Sequence, residues 1–468
     1  MSDLIPHQDL TTVELYASRR HVYTRAFSGF YRNVRRSLGA VLLLIYFALP
    51  WLSWDGRQAV WWDLPSRRFY LLGSTFWPQD FILLSGLLIV AAFGLFFITV
   101  YAGRVWCGYA CPQSVWTWLF MWCEKVTEGD RSQRIRLDQA AWSAGKLGRK
   151  SLKHLLWGLL ALATALTFVG YFTPIRTLVG TFFSGQADAW SYVWVGLLSL
   201  ATYGNAGWLR EQVCIHMCPY GRFQSVMLDQ DSLIVSYNPQ RGEPRGPRRR
   251  EADPLASGLG DCIDCTMCVQ VCPTGIDIRD GLQIECIGCA ACVDACDSIM
   301  DKMNYPRGLV GYTTAHQLDG GATRTWRPRL VGYAWVLALM VAALGTAFAT
   351  RPLSALDVSK DRILYRENAA GRLENVYTLK IINKSQRPQL YRLAAEGPQD
   401  LHWEGRREVP VDPGQIASLV VQLSLPADPP PVSVQTVTFS LIDGEGTRIE
   451  AQSRFTGPSL RPGGPHAR

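Results

Sequence analysis

Eight of the thirteen cysteines fall in two runs of one spacing. "CIDCTMCVQVCP" sets out Cys262, Cys265, Cys268, Cys272 and Pro273, and "CIGCAACVDAC" sets out Cys286, Cys289, Cys292 and Cys296. Both read C-x2-C-x2-C-x3-C, the ligand run of two-cluster bacterial ferredoxins, in which the fourth cysteine of each run serves the other [4Fe–4S] cluster. The expected sets are therefore Cys262, Cys265 and Cys268 with Cys296, and Cys286, Cys289 and Cys292 with Cys272. Three thiolates on a tight loop hold three corners of a cube, and the fourth must come from a crossing segment. Zinc sites space their ligands as two separated pairs, which this is not. Asp297 follows Cys296 where the first run has proline.

Four more cysteines form two C-x-x-x-C-P pairs: Cys107 and Cys111 in "WCGYACPQ", Cys214 and Cys218 in "VCIHMCPY". A separation of four places two side chains on one helical face, and the following proline marks a helix end or kink. With His216 and Met217 nearby, four thiolates would make a soft site suited to Cu(I) or an iron–sulfur cluster. A redox-active dithiol and inert buried cysteine are the alternatives. Cys123 stands alone and reads as packing. His154 reads as an interfacial residue, and His316 and His402 show no partner in sequence. Trp116, Trp118 and Trp122 read as an interfacial aromatic belt.

These cysteines have to be positioned by an apolar scaffold. Hydrophobic residues make up 48% of the 468 and charged residues only 18%, which points to a membrane protein with soluble parts. Five stretches, 37–54, 80–101, 152–172, 190–209 and 330–349, approach the ~20 residues that a bilayer requires. The first has no small-residue cleavage site behind it and reads as a retained anchor. Basic residues cluster before the first stretch (Arg19, Arg20, Arg25, Arg32, Arg35, Arg36), between the second and third, and after the fourth. The intervening loops are poor in them. The N-terminus and the 210–329 segment are therefore expected in the cytoplasm and the end of the chain outside. The basic run at 241–251 reads as a solvated linker; no groove-reading motif accompanies it, so nucleic acid is not an expected partner.

The two pairs are related by one offset, 214 − 107 = 107 and 218 − 111 = 107. Shifted by the same amount, the first two apolar stretches fall on the third and fourth. The membrane part thus reads as two parallel copies of span, span and C-x-x-x-C-P. After the fifth stretch, residues 355–460 become β-branched and alternating, punctuated by turns, and contain no cysteine. Some seven short strands suggest an immunoglobulin-like sandwich. "PADPPP" reads as a rigid turn and "GPSLRPGGPHAR" as a disordered end.

The expected fold is an α-helical membrane protein of five transmembrane helices in two parallel repeats. It carries an inserted ferredoxin-like 2[4Fe–4S] domain and a C-terminal all-β immunoglobulin-like domain. Its parts are a cytoplasmic segment (1–36), a four-helix membrane domain (37–223), the ferredoxin-like domain (224–329), a fifth span (330–350) and a periplasmic β-domain (355–460).

Taken together, the spans, "CGYACPQ", "CIHMCPYGRFQS", the two ferredoxin runs and the β-rich tail resemble the cytochrome c oxidase accessory proteins CcoG, also called FixG or RdxA. That resemblance covers nearly the whole chain. It implies a cupric reductase of the cell membrane that turns Cu(II) into Cu(I) for cbb(3)-type oxidase assembly. Copper chaperones and oxidase subunits would be partners, with a cytoplasmic electron donor. On that reading Cys107, Cys111, Cys214 and Cys218 receive electrons from the clusters. A quinol-linked electron conduit and a non-catalytic assembly scaffold are the alternatives.

Overall fold

Among the described residues, four helices are long and apolar enough to cross a bilayer: Phe30–Trp51, Pro78–Ala102, Ala144–Val169 and Pro328–Ala349. The computed structural model describes residues 21–250, 258–368, 370–427, 434–444 and 446–458. Arg19, Arg20, most of the "PADPPP" turn and the chain end from 459 lie outside the described residues. In chain order the first nine helices are α1 (Phe30–Ala48), α2 (Phe81–Ala102), α3 (Val105–Tyr109), α4 (Pro112–Glu128), α5 (Arg131–Gln139), α6 (Ala144–Val169), α7 (Ile175–Phe183), α8 (Ala189–Thr202) and α9 (Pro219–Met227).

α2 buries only Thr99 and Val100, and the helix Pro328–Ala349 buries nothing. Ile82, Leu88 and Leu339 are each more than 60% exposed. Apolar surface on this scale calls for lipid. The expected span at 190–209 differs from this pattern. α8 has 14 residues, about 21 Å at 1.5 Å per residue, and the helix runs on beyond it without a break, Thr202 and Tyr203 both being right-handed helical. The chain then widens into a π-helical turn, Tyr203–Leu209, and stops at Arg210, whose φ of +46° a regular helix cannot continue. Among the described residues four helices meet the length and apolarity of a span; the expected stretch at 190–209, part α and part π, is helical but is not among them.

Contacts divide the chain into two units. Unit 1 comprises Met1–Tyr46, Ala91–Leu166 and Asp188–Leu337; unit 2 comprises Phe47–Val90, Thr167–Ala187 and Ala338–Arg468. Four of the five passages between them fall inside the candidate span helices.

Unit 1 holds every cysteine. Local signals set its helix ends: Pro112 and Pro219 start α4 and α9 at the first turn, where a missing N–H costs nothing. Gly129 (φ +90°) closes α4, and Asp130 with Gln133 forms a capping box on α5. The iron–sulfur segment adds the short helix Met267–Gln270, the helix Ala291–Met303 and an antiparallel pair, Ile234–Tyr237 with Val310–Thr313. It is locked to α1 by Asp294, whose carboxylate accepts from Tyr31 N (3.1 Å) and Arg32 N (2.7 Å). This satisfies two of the orphan donors of that helix with a charge its dipole favours. A side chain at Gly29 would run into the Asp294 carboxylate, its Cβ only 2.3 Å from Cγ.

Unit 2 contains a β-sandwich of two antiparallel sheets. One orders His402–Glu404, Ile416–Pro426, Arg372–Asn383 and Ser354–Lys360, with Arg366–Glu367 also on the third. The other orders Glu408–Val411, Gln389–Glu396, Val434–Ile442 and Arg448–Thr456. Alternate residues such as Tyr377, Leu379, Leu423, Val437 and Phe439 fill its core. A small sheet that the sequence reading did not anticipate, Val60–Asp63, Arg68–Leu71 and Ser74–Phe76, belongs to the same unit. The sandwich is tied down by Lys384, whose Nζ meets Asp80 Oδ1 at 2.8 Å with both side chains under 10% exposed.

Candidate functional site

The two ferredoxin runs repeat at an offset of 24 (286 − 262 = 24), and the backbone repeats with them. Asp264 (φ +51°) matches Gly288 (φ +64°), and Thr266 (φ +52°) matches Ala290 (φ +55°). Left-handed residues alternating with extended or helical ones turn successive N–H groups toward one concavity, an anion nest of the kind that holds iron–sulfur sites. Each loop faces a small cavity. Cys262, Cys265, Cys268 and Cys296 line one. Cys272, Cys286, Cys289 and Cys292 line the other, with Cys268 touching it from the first. Gly288 N–H points at Cys286 Sγ (3.5 Å). Burial pushes the Cys268, Cys286 and Cys296 thiols up to about 12. Four sulfurs around each hollow, with an inward nest of N–H donors, fit a [4Fe–4S] cluster. Among the described residues no three His, Cys, Asp or Glu side chains, at these hollows or at the C-x-x-x-C-P pairs, close on a single ion. Cys265 is exposed, whereas Cys268 and Cys289 are buried.

The C-x-x-x-C-P pairs are built differently from one helical face. Cys107 sits on α3, but Cys111 is extended (φ −60°, ψ 128°) and caps α4. Cys214 sits on a π-helical turn, Val213–Met217, and Cys218 is extended (φ −82°, ψ 110°) at the start of α9. A residue before proline is driven out of the helical region, so each helix breaks between the two sulfurs and restarts at the proline. π-Turns often mark functional sites.

The 107-residue offset persists in three dimensions. Gly103 (φ +60°) and Arg210 (φ +46°) are the left-handed residues ahead of the two motifs, and 210 − 103 = 107. Gln113 Nε2 donates to Asn205 O (2.9 Å) and Arg210 O (3.3 Å). Tyr220, 107 residues on, donates to Leu95 O (3.4 Å) and bonds Thr99 Oγ1. Each repeat thus reaches the end of the other's second helix from the same position. The four thiols lie near enough to bear on one another's ionisation, though no three of them close on a single ion. Burial first, then Cys111, pushes Cys107 up to about 11, with Cys218 adding a smaller push. Burial first, then Cys111, Cys107 and Cys218, pushes Cys214 up to about 12. His216 is exposed and makes no hydrogen bond or ion pair among the described residues. Met217 is 63% exposed.

Three residues not singled out in the sequence join this site to the clusters. Gln224 is fully buried; its Oε1 accepts from the Cys107 thiol (3.4 Å), while its Nε2 has no partner. Arg104 donates to Cys286 O (2.9 Å), Ile284 O and Gly221 O (2.9 Å), clamping the inner cluster loop to α9. Arg35, buried on the Trp118 ring at 4.1 Å, donates to Cys289 O (2.6 Å). Gly108 lies against the same loop, so close that a Cβ there would be 2.8 Å from Cys289 Cα. Cys107 accordingly packs in one apolar cluster with Cys289, Ile287 and Trp118. Only the CPYGRFQS run around Gln224 offered a local signal; the other contacts are long-range.

Other expectations sort simply. Cys123 is buried among Phe120, Trp157, Ala161 and Ala206, as packing requires. His154 hydrogen-bonds Tyr203 (2.8 Å), and His316 pairs with Asp231 (2.7 Å). His402 lies on an exposed position of a β-strand. The three tryptophans of the expected belt differ in their surroundings. Trp116 bonds Thr164 (3.0 Å) and Trp118 stacks under Arg35, so only Trp122 is exposed.

Residues 209–315 match the 4Fe-4S dicluster domain, a span that includes Cys214 and Cys218, and residues 344–458 match the IG-like fold at the C-terminal of FixG. The chain is 37% identical over 459 residues to the nitrogen fixation protein FixG of Rhizobium meliloti, covering 88% of each. It is 39% identical over 453 residues to protein RdxA of Cereibacter sphaeroides, covering 92% of this chain and 95% of that one. A crystal structure of a FixG-related protein from Vibrio parahaemolyticus is 34% identical over 23% of this chain and 97% of its own, with a TM-score of 0.22. The chain belongs to the FixG/RdxA family and is an iron–sulfur electron-transfer protein of that family, with a 4Fe-4S dicluster domain and an IG-like C-terminal domain.

Proposed function

We propose that the chain is a cupric reductase of the cell membrane, delivering Cu(I) for assembly of a cbb(3)-type cytochrome oxidase. The observation that carries this reading is the packing of Cys107 against the apolar cluster that contains Cys289, with the adjoining Gly108 against the Cys289 backbone. It puts the four-thiol site directly beside the inner set of cluster-type cysteines. Cys262, Cys265, Cys268 and Cys296 would hold one [4Fe–4S] cluster, and Cys272, Cys286, Cys289 and Cys292 the other. When bound, such clusters take up and release single electrons.

The chain's own residues give this a direction. Cys265, the exposed ligand of the outer set, is the fitting place for a cytoplasmic donor. Arg104 and Arg35 hold the inner loop against Gly108, keeping its distance to Cys107 short. Cu(II) is the substrate, and one electron converts each ion to Cu(I). Soft thiolates favour the reduced ion, which adds to the driving force. Binding copper displaces protons from thiols that burial keeps neutral. Rotation of the Gln224 amide would let its unpartnered Nε2 donate to the thiolate left behind. The basic loops favour a cytoplasmic iron–sulfur part and a periplasmic β-domain, the latter available to copper chaperones and oxidase subunits.

The test is Cu(II) reduction by the dithionite-reduced protein against Cys107→Ala and Cys214→Ala, with iron and sulfide content confirmed equal. Loss of reduction in both variants is expected. Unchanged rates with intact clusters would remove the four thiols from the mechanism.

A further inference from the structure

Beside the Gly108 contact, the wall of unit 1 opens into a cavity of about 380 Å³, formed by residues of the 24–43 and 108–134 segments. That volume lies within the range of small-molecule sites. Six of its lining residues are cationic, and Asp130 is the single carboxylate among them. Asp130 is already engaged, accepting from Ala26 N (2.9 Å) and capping α5. Two of the cations, by contrast, have uncommitted side chains. Arg36 and Lys125 are exposed, and their side chains make no hydrogen bond or ion pair among the described residues. Arg134 is 4% exposed, and although its terminal nitrogens bind Glu124 and Thr24, its buried Nε has no partner. That Nε has no surface open to the cavity, so Arg134 adds only its charge to the wall.

The rest of the wall is apolar. Gly39, Ala40 and Leu43 of α1 face Val115 and Leu119 of α4. The α1 side continues along a candidate membrane span. A site that is cationic at one end and hydrocarbon-like at the other, opening beside a span, selects an amphiphile with an anionic head. We propose that this cavity binds an anionic phospholipid, its phosphate between Arg36 and Lys125, its acyl chains along α1. Free phosphate would leave the apolar wall bare, and a neutral lipid would leave the cations uncompensated. The lipid would then form part of the wall behind Gly108 and Tyr109. The inference does not depend on copper being the substrate.

The experiment uses the full chain purified in neutral detergent, with native mass spectrometry and titration of phosphatidylglycerol. The probes are phosphatidylglycerol, phosphatidylcholine, ubiquinone and inorganic phosphate. One phosphatidylglycerol retained per chain is expected. Arg36→Gln/Lys125→Gln should weaken it about 30-fold, about fivefold for each basic residue removed near a membrane surface. Lys302→Gln/Lys380→Gln removes the same charge from exposed positions outside the cavity and should change nothing. Competition by inorganic phosphate at equal potency, equal retention of phosphatidylcholine or ubiquinone, or equal loss in the control variant would each overturn the proposal.

Discussion

A single methyl group at Gly108 probes the contact on which the electron route depends. An ideal Cβ there would lie 2.8 Å from Cys289 Cα, 2.9 Å from Gly288 O and 3.0 Å from Cys289 N, all backbone atoms. Ordinary contact starts near 3.4 Å, so the loop must retreat by roughly 0.5 Å in a close-packed interior that resists it. Gly108 is not in the left-handed region, so Gly108→Ala brings only this steric cost. Overpacking of this kind costs about 1–3 kcal/mol. The retreat separates the Cys107 segment from the Cys289 loop without touching any sulfur. Iron and sulfide content should therefore stay at the wild-type level. Thermal stability should fall, and stopped-flow reoxidation of the reduced clusters by Cu(II) should slow. Gly148→Ala is the control: nothing lies within 4 Å of its Cβ, and alanine in a helix should be neutral or stabilising by up to ~1 kcal/mol. Gly108→Ala with unaltered stability and an unaltered copper rate would refute the reasoning.

Further outcomes follow from the charged groups. Burial is the main push on Cys286, and the Arg104 charge counters it; Arg104→Gln should therefore lower the potential of the inner cluster. For a charge at about 8 Å in an effective dielectric of about 20, discounted for partial exposure, the shift is roughly 40–80 mV. Redox titration followed by EPR reads it, and Arg104→Lys should recover most of it. Glu124 is desolvated, but Arg210 and Arg134 outweigh burial and hold its carboxyl below the usual range. Its contribution to stability is thus present above the unfolded carboxylate pKa and is lost as pH falls through the lower folded value. Glu124→Gln should cost about 3–5 kcal/mol at neutral pH by stranding two buried arginines, and acid titration of stability should lose that component. Lys384→Met strands Asp80 in the same way and should cost about 3–5 kcal/mol. Protease cleavage within the β-sandwich should speed up, and a double-mutant cycle with Asp80→Asn should show non-additivity.

The cluster runs and the duplicated C-x-x-x-C-P pairs were legible because their information is local: cysteine spacing, a following proline and a constant offset. The same offset relates Gln113 to Tyr220, but their cross-repeat contacts were not foreseen. The i, i+4 face was misread because Pro112 and Pro219 start new helices and leave the second cysteine of each pair extended. The apolar run at 190–209 concealed a π-turn, since hydropathy does not register a change in helical pitch. Gly108, Arg104 and Arg35 gain their meaning from loops about 180 to 250 residues away in sequence, which no local pattern encodes. The Val60–Phe76 sheet is short and lies between two dominant apolar segments, so its alternation carried little signal.

The central claim is that reduced iron–sulfur clusters in this chain hand electrons to copper. The most direct measurement is EPR of the anaerobically reduced, full-length protein before and after addition of Cu(II), with iron quantified on the same sample. About eight irons per chain are expected at four per [4Fe–4S] cluster. The reduced-cluster signal should disappear together with the Cu(II) signal, one copper silenced for each electron lost. Reduced clusters that persist beside an undiminished Cu(II) signal would contradict the claim.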